Sequence, residues 1–314
     1  MKISVKGIKK GYPRLPFPEK LKAWTQLLRP FTLVAPAIAV LFGVTAQLGC
    51  YGQLELLFER WATVIYCMLC LMMAQAVGQI LNQTEDPVEL DIMNKKSYRP
   101  LPSGRINRDE AMSLAWILAV FTLARSFTVN LWFGAFISTL LLFAITYNME
   151  PIRIKKRVWL NTGWLAISRG VLPFPAVWSI FGSPLDLEPW LIGSVIGVWV
   201  LAWQNTKDLN DIPGDLKFGV VTPALYHGVR KLGIIMLPIS LLSFILLGIY
   251  IWIGWLPMML GTLFLLGVPT LWMHFKYLTK DIRELTTLEN NDLWAGFYLG
   301  LAGWYILAAL AFSL

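Results

Sequence analysis

The chain has 314 residues, of which 56% are hydrophobic and only 15% charged, with a mean hydropathy of +0.58. A soluble domain of this length carries roughly a quarter charged residues, so the composition excludes a conventional water-soluble fold. The net charge of +8 does not indicate a nucleic-acid partner, because the basic residues flank apolar runs, as loops on the cytoplasmic side of a membrane do.

Residues 1–29 hold eight Lys or Arg before any long apolar run. They read as a basic cytoplasmic segment and not as a cleaved signal, whose apolar core would come early. Nine spans follow, at roughly 31–50, 61–83, 110–126, 129–148, 159–181, 188–206, 233–253, 255–274 and 293–312. The third is short, and little more than Gly254 separates the seventh from the eighth. Charge tests the count independently. Of the 27 Lys and Arg, all but Arg60, Arg125 and Arg169 fall within 1–29, 84–110, 149–158, 205–232 and 275–290. Nine spans put all five segments on one side, the cytoplasmic one, and the C-terminus on the other. Removing one span breaks that pattern. The expectation is one all-α integral membrane domain over 1–314, with 84–109 and 207–232 as cytoplasmic cap loops. Cys67 and Cys70, three apart in an apolar run, read as small packing residues.

The two longest internal loops carry the unusual acids, as NQTEDPVELD from Asn82 to Asp91 and KDLNDIPGD from Lys207 to Asp215. Four spans separate them, which suggests duplication of a four-helix unit. Asp208, Asp211 and Asp215 are spaced three and four apart, which would put them on one face of a helix. Carboxylates so placed repel one another unless a cation sits between them, and hard oxygens suit Mg²⁺ completed by phosphate oxygens. The first segment offers Asn82, Glu85, Asp86, Glu89 and Asp91. Arg99, Lys155 and Lys207 lie in the basic segments 84–110, 149–158 and 205–232 and would stabilise a departing diphosphate. Spacing alone leaves a solvated acidic loop equally open.

The run NQTEDPVELDIMNKKSYRPLPSG resembles the first Asp-rich motif of the UbiA superfamily of intramembrane prenyltransferases. KDLNDIPGDLKFGVVTP resembles the second, and YNMEPIRIKKR, from Tyr147 to Arg157, the Tyr–Pro–Arg–Lys loop after the fourth helix. The resemblance implies nine helices arranged around a central cavity, capped by the two cytoplasmic loops. It implies that Asn82, Asp86, Asp91, Asp211 and Asp215, with Asp208 just ahead, hold two Mg²⁺ ions against a polyprenyl diphosphate. Arg99, Arg153, Lys155 and Lys207 match positions near the phosphates, and Arg29 matches an arginine near the cavity. Four features depart from the pattern. Asp86 and Asp91 are five apart where four is usual, and Pro87 should end or kink the second span. Either a bulge restores Asp91 or Glu89 substitutes for it. Gln83 stands where many members have Asp, although a Gln occurs there in the homogentisate-type branch, and Trp203 stands where a Tyr commonly precedes the second motif.

The expected reaction is ionisation of the donor in a dry cavity and capture of its prenyl cation by a hydrophobic acceptor, with an aromatic quinone precursor favoured. A prenylglyceryl phosphate acceptor and a cyclase are the alternatives. Trp164, Tyr147, Trp203 and Phe218 lie near the relevant helix ends, while His227 and His274 read as structural or interfacial. A secondary transporter would carry ionisable residues near the midplane. Here the spans are nearly free of charge apart from Arg169. Replacing Asp86 or Asp211 with alanine is expected to abolish diphosphate release and leave the fold largely intact.

Overall fold

The computed structural model describes residues 15–279 and 291–314; the basic stretch 1–14 and the end of the last basic loop, 280–290, lie outside the described residues. No strand occurs among the described residues. The N-terminal segment contains a helix that the apolar runs did not reveal, α1 (Phe17–Leu28), which buries Ala23 and Leu27 and exposes Phe17 and Leu21. It ends at Arg29, in left-handed geometry at φ 53°. Pro30 disfavours the right-handed helical region for the residue before it and opens α2 (Pro30–Cys50). A short α3 (Glu55–Glu59) leads into α4 (Trp61–Glu85).

Pro87 stops α4 as expected: Asp86 is extended, at φ −85° and ψ 144°, and a new short helix, α5 (Val88–Met93), begins directly after the proline. Next come α6 (Arg108–Ser126), capped by the Asn107 side chain, and α7 (Leu131–Asn148), capped by Asn130. The fifth predicted span is α8 (Leu160–Ala166), a π turn at Ile167–Val171, and α9 (Pro173–Trp178). The sixth is α10 (Glu188–Trp203), whose end tightens into a 3₁₀ turn at Gln204–Asp208. Two cap helices, α11 (Ile212–Phe218) and α12 (Pro223–His227), precede α13 (Val229–Trp252). A 3₁₀ stretch at Met258–Leu266 runs into α14 (Gly267–Thr279), and α15 (Asp292–Ser313) closes the chain.

Six of these helical stretches are long and apolar enough to cross a membrane: α2, α4, α7, α13, Met258–Thr279 and α15. The chain is a multi-pass, all-helical membrane protein. The other three predicted spans are helical but fall short by length or composition. α6 carries Arg108, Asp109, Glu110 and Arg125, the fifth is interrupted by its π turn, and α10 has 16 residues. The packing forms a closed circuit. α2 packs on α4, α4 on α6 and α7, α7 on α9, α10 on the π turn and α13, and α15 on both the 3₁₀ stretch and α2. At the centre of this ring lies a cavity.

Candidate active site

The cavity has a polar mouth and an apolar floor. Asp86, Asp91, Lys96, Arg99, Asp208 and Asp215 line the mouth, while Ala39, Leu71, Leu140, Pro173 and Leu301 line the depth. From Asp86 to Leu71 along α4 is about 22 Å at the helical rise, so the apolar part extends about four helical turns beyond the mouth.

The first Asp-rich segment reaches the mouth through the break at Pro87. Asn82, in the last turns of α4, faces the cavity and donates to Asn148 Oδ1 at 3.2 Å. Asp86 caps α4, and its Oδ1 accepts from Lys155 and, at 3.1 Å, from Arg153. Restarting the helix at Val88 turns Asp91 inward, buried, with Arg99 Nη1 2.8 Å from its Oδ1. The same restart leaves Glu89 exposed and outside the cavity lining. The five-residue spacing is therefore absorbed by the break between α4 and α5 at Pro87, and no bulge is needed.

The second segment corrects one expectation. Asp208, Asp211 and Asp215 do not share a helix: Asp208 ends the 3₁₀ turn, Asp211 caps α11, and Asp215 lies within it. Pro213 explains this, because it lacks an N–H and is tolerated only in the first turn of a helix. All three carboxylates still line the cavity. Asp208 Oδ1 accepts from Lys207 at 2.7 Å, and Lys207 also reaches Tyr147 Oη at 3.1 Å. Asp211 accepts from Lys96. Asn291 locks this region to α15 by donating to Thr206 O and Asn210 Oδ1, each at 2.8 Å.

The two caps also clasp each other. Gly214 N donates to Asn94 Oδ1 at 3.0 Å, and a Cβ on Gly214 would stand 2.5 Å from that oxygen. Gly214→Ala is therefore expected to push the caps apart and cost about 1–3 kcal/mol, as overpacking does. A thermal melt of the purified variant checks this, and an unchanged midpoint would rule the clasp out as a stabilising contact.

Other predicted residues sort by position. Arg29 lines the cavity and donates to Gln79 Oε1 at 2.9 Å. Arg153 stands behind the lining, bonded to Asp86 and to Glu85 O at 2.9 Å. Of the aromatic residues singled out near the helix ends, Tyr147 lines the cavity and the other three do not. Trp164 stacks on Phe143, Trp203 is buried with its ring centroid 4.5 Å from that of His274, and Phe218 lies beneath Lys217. Phe143, Trp294, Phe297, Tyr298 and Tyr305 supply the aromatic wall instead. Neither histidine lines the cavity: His227 accepts from Trp159 at 2.9 Å, and His274 lies 2.7 Å from Ser240 Oγ. Sequence reasoning passed over Lys96 and Asn94. Both are buried polar residues directly after the first motif, and a lysine in a cytoplasmic loop is ordinarily explained by topology alone.

The electrostatics are those of crowded carboxylates. Burial, with Asp208 and Asp211 nearby, pushes the Asp215 carboxyl up to about 8. Burial also works to raise Asp211, but the Lys96 ammonium wins and holds it below its usual value. Burial opposes the charge on Lys207, yet Asp208 and Tyr147 keep it firmly protonated. Among the described residues each ion pair of Asp86, Asp91 and Asp211 uses Oδ1, leaving the second oxygen without a protein partner. Asp208 Oδ2 is buried and also unpartnered. Asp215 makes no ion pair there at all. This donor set is hard oxygen throughout, which suits Mg²⁺. No group of three among the described acidic, His or Cys side chains is arranged to hold an ion alone.

Known proteins share both sequence and fold. Homogentisate phytyltransferase from Synechocystis sp. is 26% identical over 312 residues, spanning 94% of this chain and 95% of its own. Digeranylgeranylglyceryl phosphate synthase from Korarchaeum cryptofilum is 29% identical over 229 residues, 72% of this chain and 75% of its own. Among solved structures, a UbiA homolog from Archaeoglobus fulgidus bound to DMAPP and Mg²⁺ superposes with a TM-score of 0.68 at 18% identity, covering 92% of this chain and 98% of that one. A model of the UbiA prenyltransferase family matches residues 40–288. With most of the chain matched in sequence and the helical ring shared, this chain belongs to the UbiA prenyltransferase family.

Proposed function

We propose that this prenyltransferase moves a prenyl chain from a polyprenyl diphosphate to an aromatic acceptor at the mouth of the central cavity, with Mg²⁺ held by the two Asp-rich segments. The observation that carries the reading is the convergence of five aspartates and their basic partners at the polar end of one deep apolar cavity. Asp86 and Asp91 from one cap, with Asp211 and Asp215 from the other, are the metal ligands. Asp208 and Asn82 complete the polar rim, and Glu89 takes no part. The metal, two ions in this reading, supplies Lewis-acid neutralisation of the leaving diphosphate.

Lys155, Arg99 and Lys207 orient the diphosphate and offset its charge as the allylic C–O bond breaks. Arg153 holds Asp86 from behind, and Arg29 lies near the donor path. The apolar depth receives the prenyl chain and excludes water, which would otherwise trap the cation as an alcohol. Faces of Tyr147, Phe297 and Tyr298 stabilise that cation by about 0.5–2 kcal/mol each. Nine spans place both caps and the N-terminus on the cytoplasmic side and the C-terminus opposite, with the whole chain a single domain. An aromatic acceptor is favoured because the relative matching almost end to end is named for homogentisate.

The test is diphosphate release by purified protein from geranylgeranyl diphosphate, with and without Mg²⁺, against 4-hydroxybenzoate, homogentisate and geranylgeranylglyceryl phosphate. Magnesium-dependent release stimulated by one of the phenols is the expected result. Stimulation by the glyceryl phosphate alone would reassign the acceptor, and release that needs no acceptor would mean cyclisation or hydrolysis.

A further inference from the structure

Arg169 is a cation placed where a membrane protein rarely keeps one. It lies in the middle of the fifth predicted span, where an ionisable side chain is costly and usually functional. The backbone is built to put it there. Ile167–Val171 forms a π turn between α8 and α9, and such wide turns recur at functional sites. Glycines let the turn press onto α10: a Cβ on Gly170 would stand 2.5 Å from Gly197 Cα, and one on Gly193 would stand 2.5 Å from Val171 O. With that side of the turn against α10, Ser168 and Arg169 line the cavity.

Among the described residues Arg169 pairs with no carboxylate, and its one hydrogen bond is to Gln204 Oε1 at a long 3.3 Å. A guanidinium has five N–H donors, so among the described residues most of its capacity is unused. Gln204 is fully buried, and its Nε2 has no partner. A second donor therefore stands beside the cation with nothing to donate to. Gln204 lies three residues before Lys207 in the 3₁₀ turn, which is about 6 Å along the axis. The pair sits one turn below the residues assigned to the diphosphate.

We propose that Arg169, assisted by Gln204, recognises an aromatic acceptor by pairing with the single carboxylate it bears, attached to the ring directly or through a methylene. The inference rests on the prenyl-transfer reading of the same cavity. A planar guanidinium matches a carboxylate with two parallel hydrogen bonds. A phosphate dianion would call for a second cation on this turn, and Gln204 is neutral. Held there, the ring lies below the diphosphate, on the side where the prenyl cation is released.

The experiment measures KM for 4-hydroxybenzoate and homogentisate, each beside its methyl ester, with geranylgeranyl diphosphate as donor. Wild type is expected to prefer acid to ester by about 10- to 100-fold, the worth of a charge-assisted pair. Arg169→Met raises KM for the acids by that factor, leaves the esters unchanged, and shifts donor KM by less than about threefold. Arg169→Lys recovers part of the loss. Gln204→Glu, which satisfies the guanidinium internally, reproduces the loss without removing the arginine. Equal losses for acid and ester, or a rise in donor KM instead, would show a packing or diphosphate role and overturn the proposal. So would turnover of geranylgeranylglyceryl phosphate with neither phenol accepted. Absence of magnesium-dependent release by wild type sinks the underlying reading and this inference together, whereas the variant pattern sinks this inference alone.

Discussion

Asp211→Asn is expected to lower magnesium-dependent diphosphate release by at least about 10³-fold, combining loss of a metal ligand with loss of leaving-group stabilisation. Asp86→Asn should behave alike, because each aspartate anchors one cap of the same mouth. Asparagine is the informative replacement, and alanine is not the benign one that the sequence suggested. Asp211 is paired with Lys96, whose side chain is 5% exposed, and Asp86 with Lys155, at 6%. Removing either carboxylate strands a buried ammonium, and breaking a buried pair costs about 3–5 kcal/mol. Asp211→Ala should therefore lose both activity and thermal stability, while asparagine keeps the shape and a hydrogen-bond acceptor. Rates from purified variants, with melts measured alongside, separate the two effects. Asparagine variants that retain near wild-type release at saturating Mg²⁺ would refute the two-segment clamp.

Magnesium should bind more tightly as pH rises, by about tenfold per unit up to about pH 8 and little beyond. The sign follows from Asp215. Burial and the neighbouring Asp208 and Asp211 raise its carboxyl to about 8, so the metal-free protein holds a proton there at neutral pH. The metal requires the carboxylate, so binding below that value releases the proton. Between about pH 6 and pH 8 the affinity should change by about 50-fold. Calorimetry in two buffers of different ionisation enthalpy counts the proton directly. Asp215→Asn should weaken binding and flatten the profile. An affinity independent of pH across this window in the wild type would mean that Asp215 is not a ligand.

Much of this was legible before any coordinates, for reasons that are local. A run such as Val229–Trp252 announces a membrane helix because its side chains match the hydrocarbon whatever their neighbours do. Pro87 announces the end of α4 because its ring constrains the preceding residue directly. The two acidic segments carry their chemistry in their composition, which is why their resemblance to the prenyltransferase motifs was readable. The errors came where position depends on packing. Pro213 breaks the apparent three-and-four helix of Asp208, Asp211 and Asp215, yet the caps fold all three back to one mouth. Trp203 and Trp164 lie near the helix ends, and the sequence assigned neither a part in the chemistry; only the packing shows that both stand outside the cavity lining.

The sequence by itself determined the solvent this protein lives in, the end of the ring at which its charge collects, and the kind of metal those charges suit. These follow from hydropathy, from the sidedness of Lys and Arg, and from hard oxygen ligands. Only the tertiary structure decided that Asp91 faces the cavity while Glu89 faces out, because a two-residue difference in a short helix becomes a difference of face once α5 packs on α11. It also decided that Lys96 pairs with Asp211 across 115 residues, and that a π turn carries Arg169 into the cavity. Such contacts are set by how helices close into a ring, and no window along the chain contains that information.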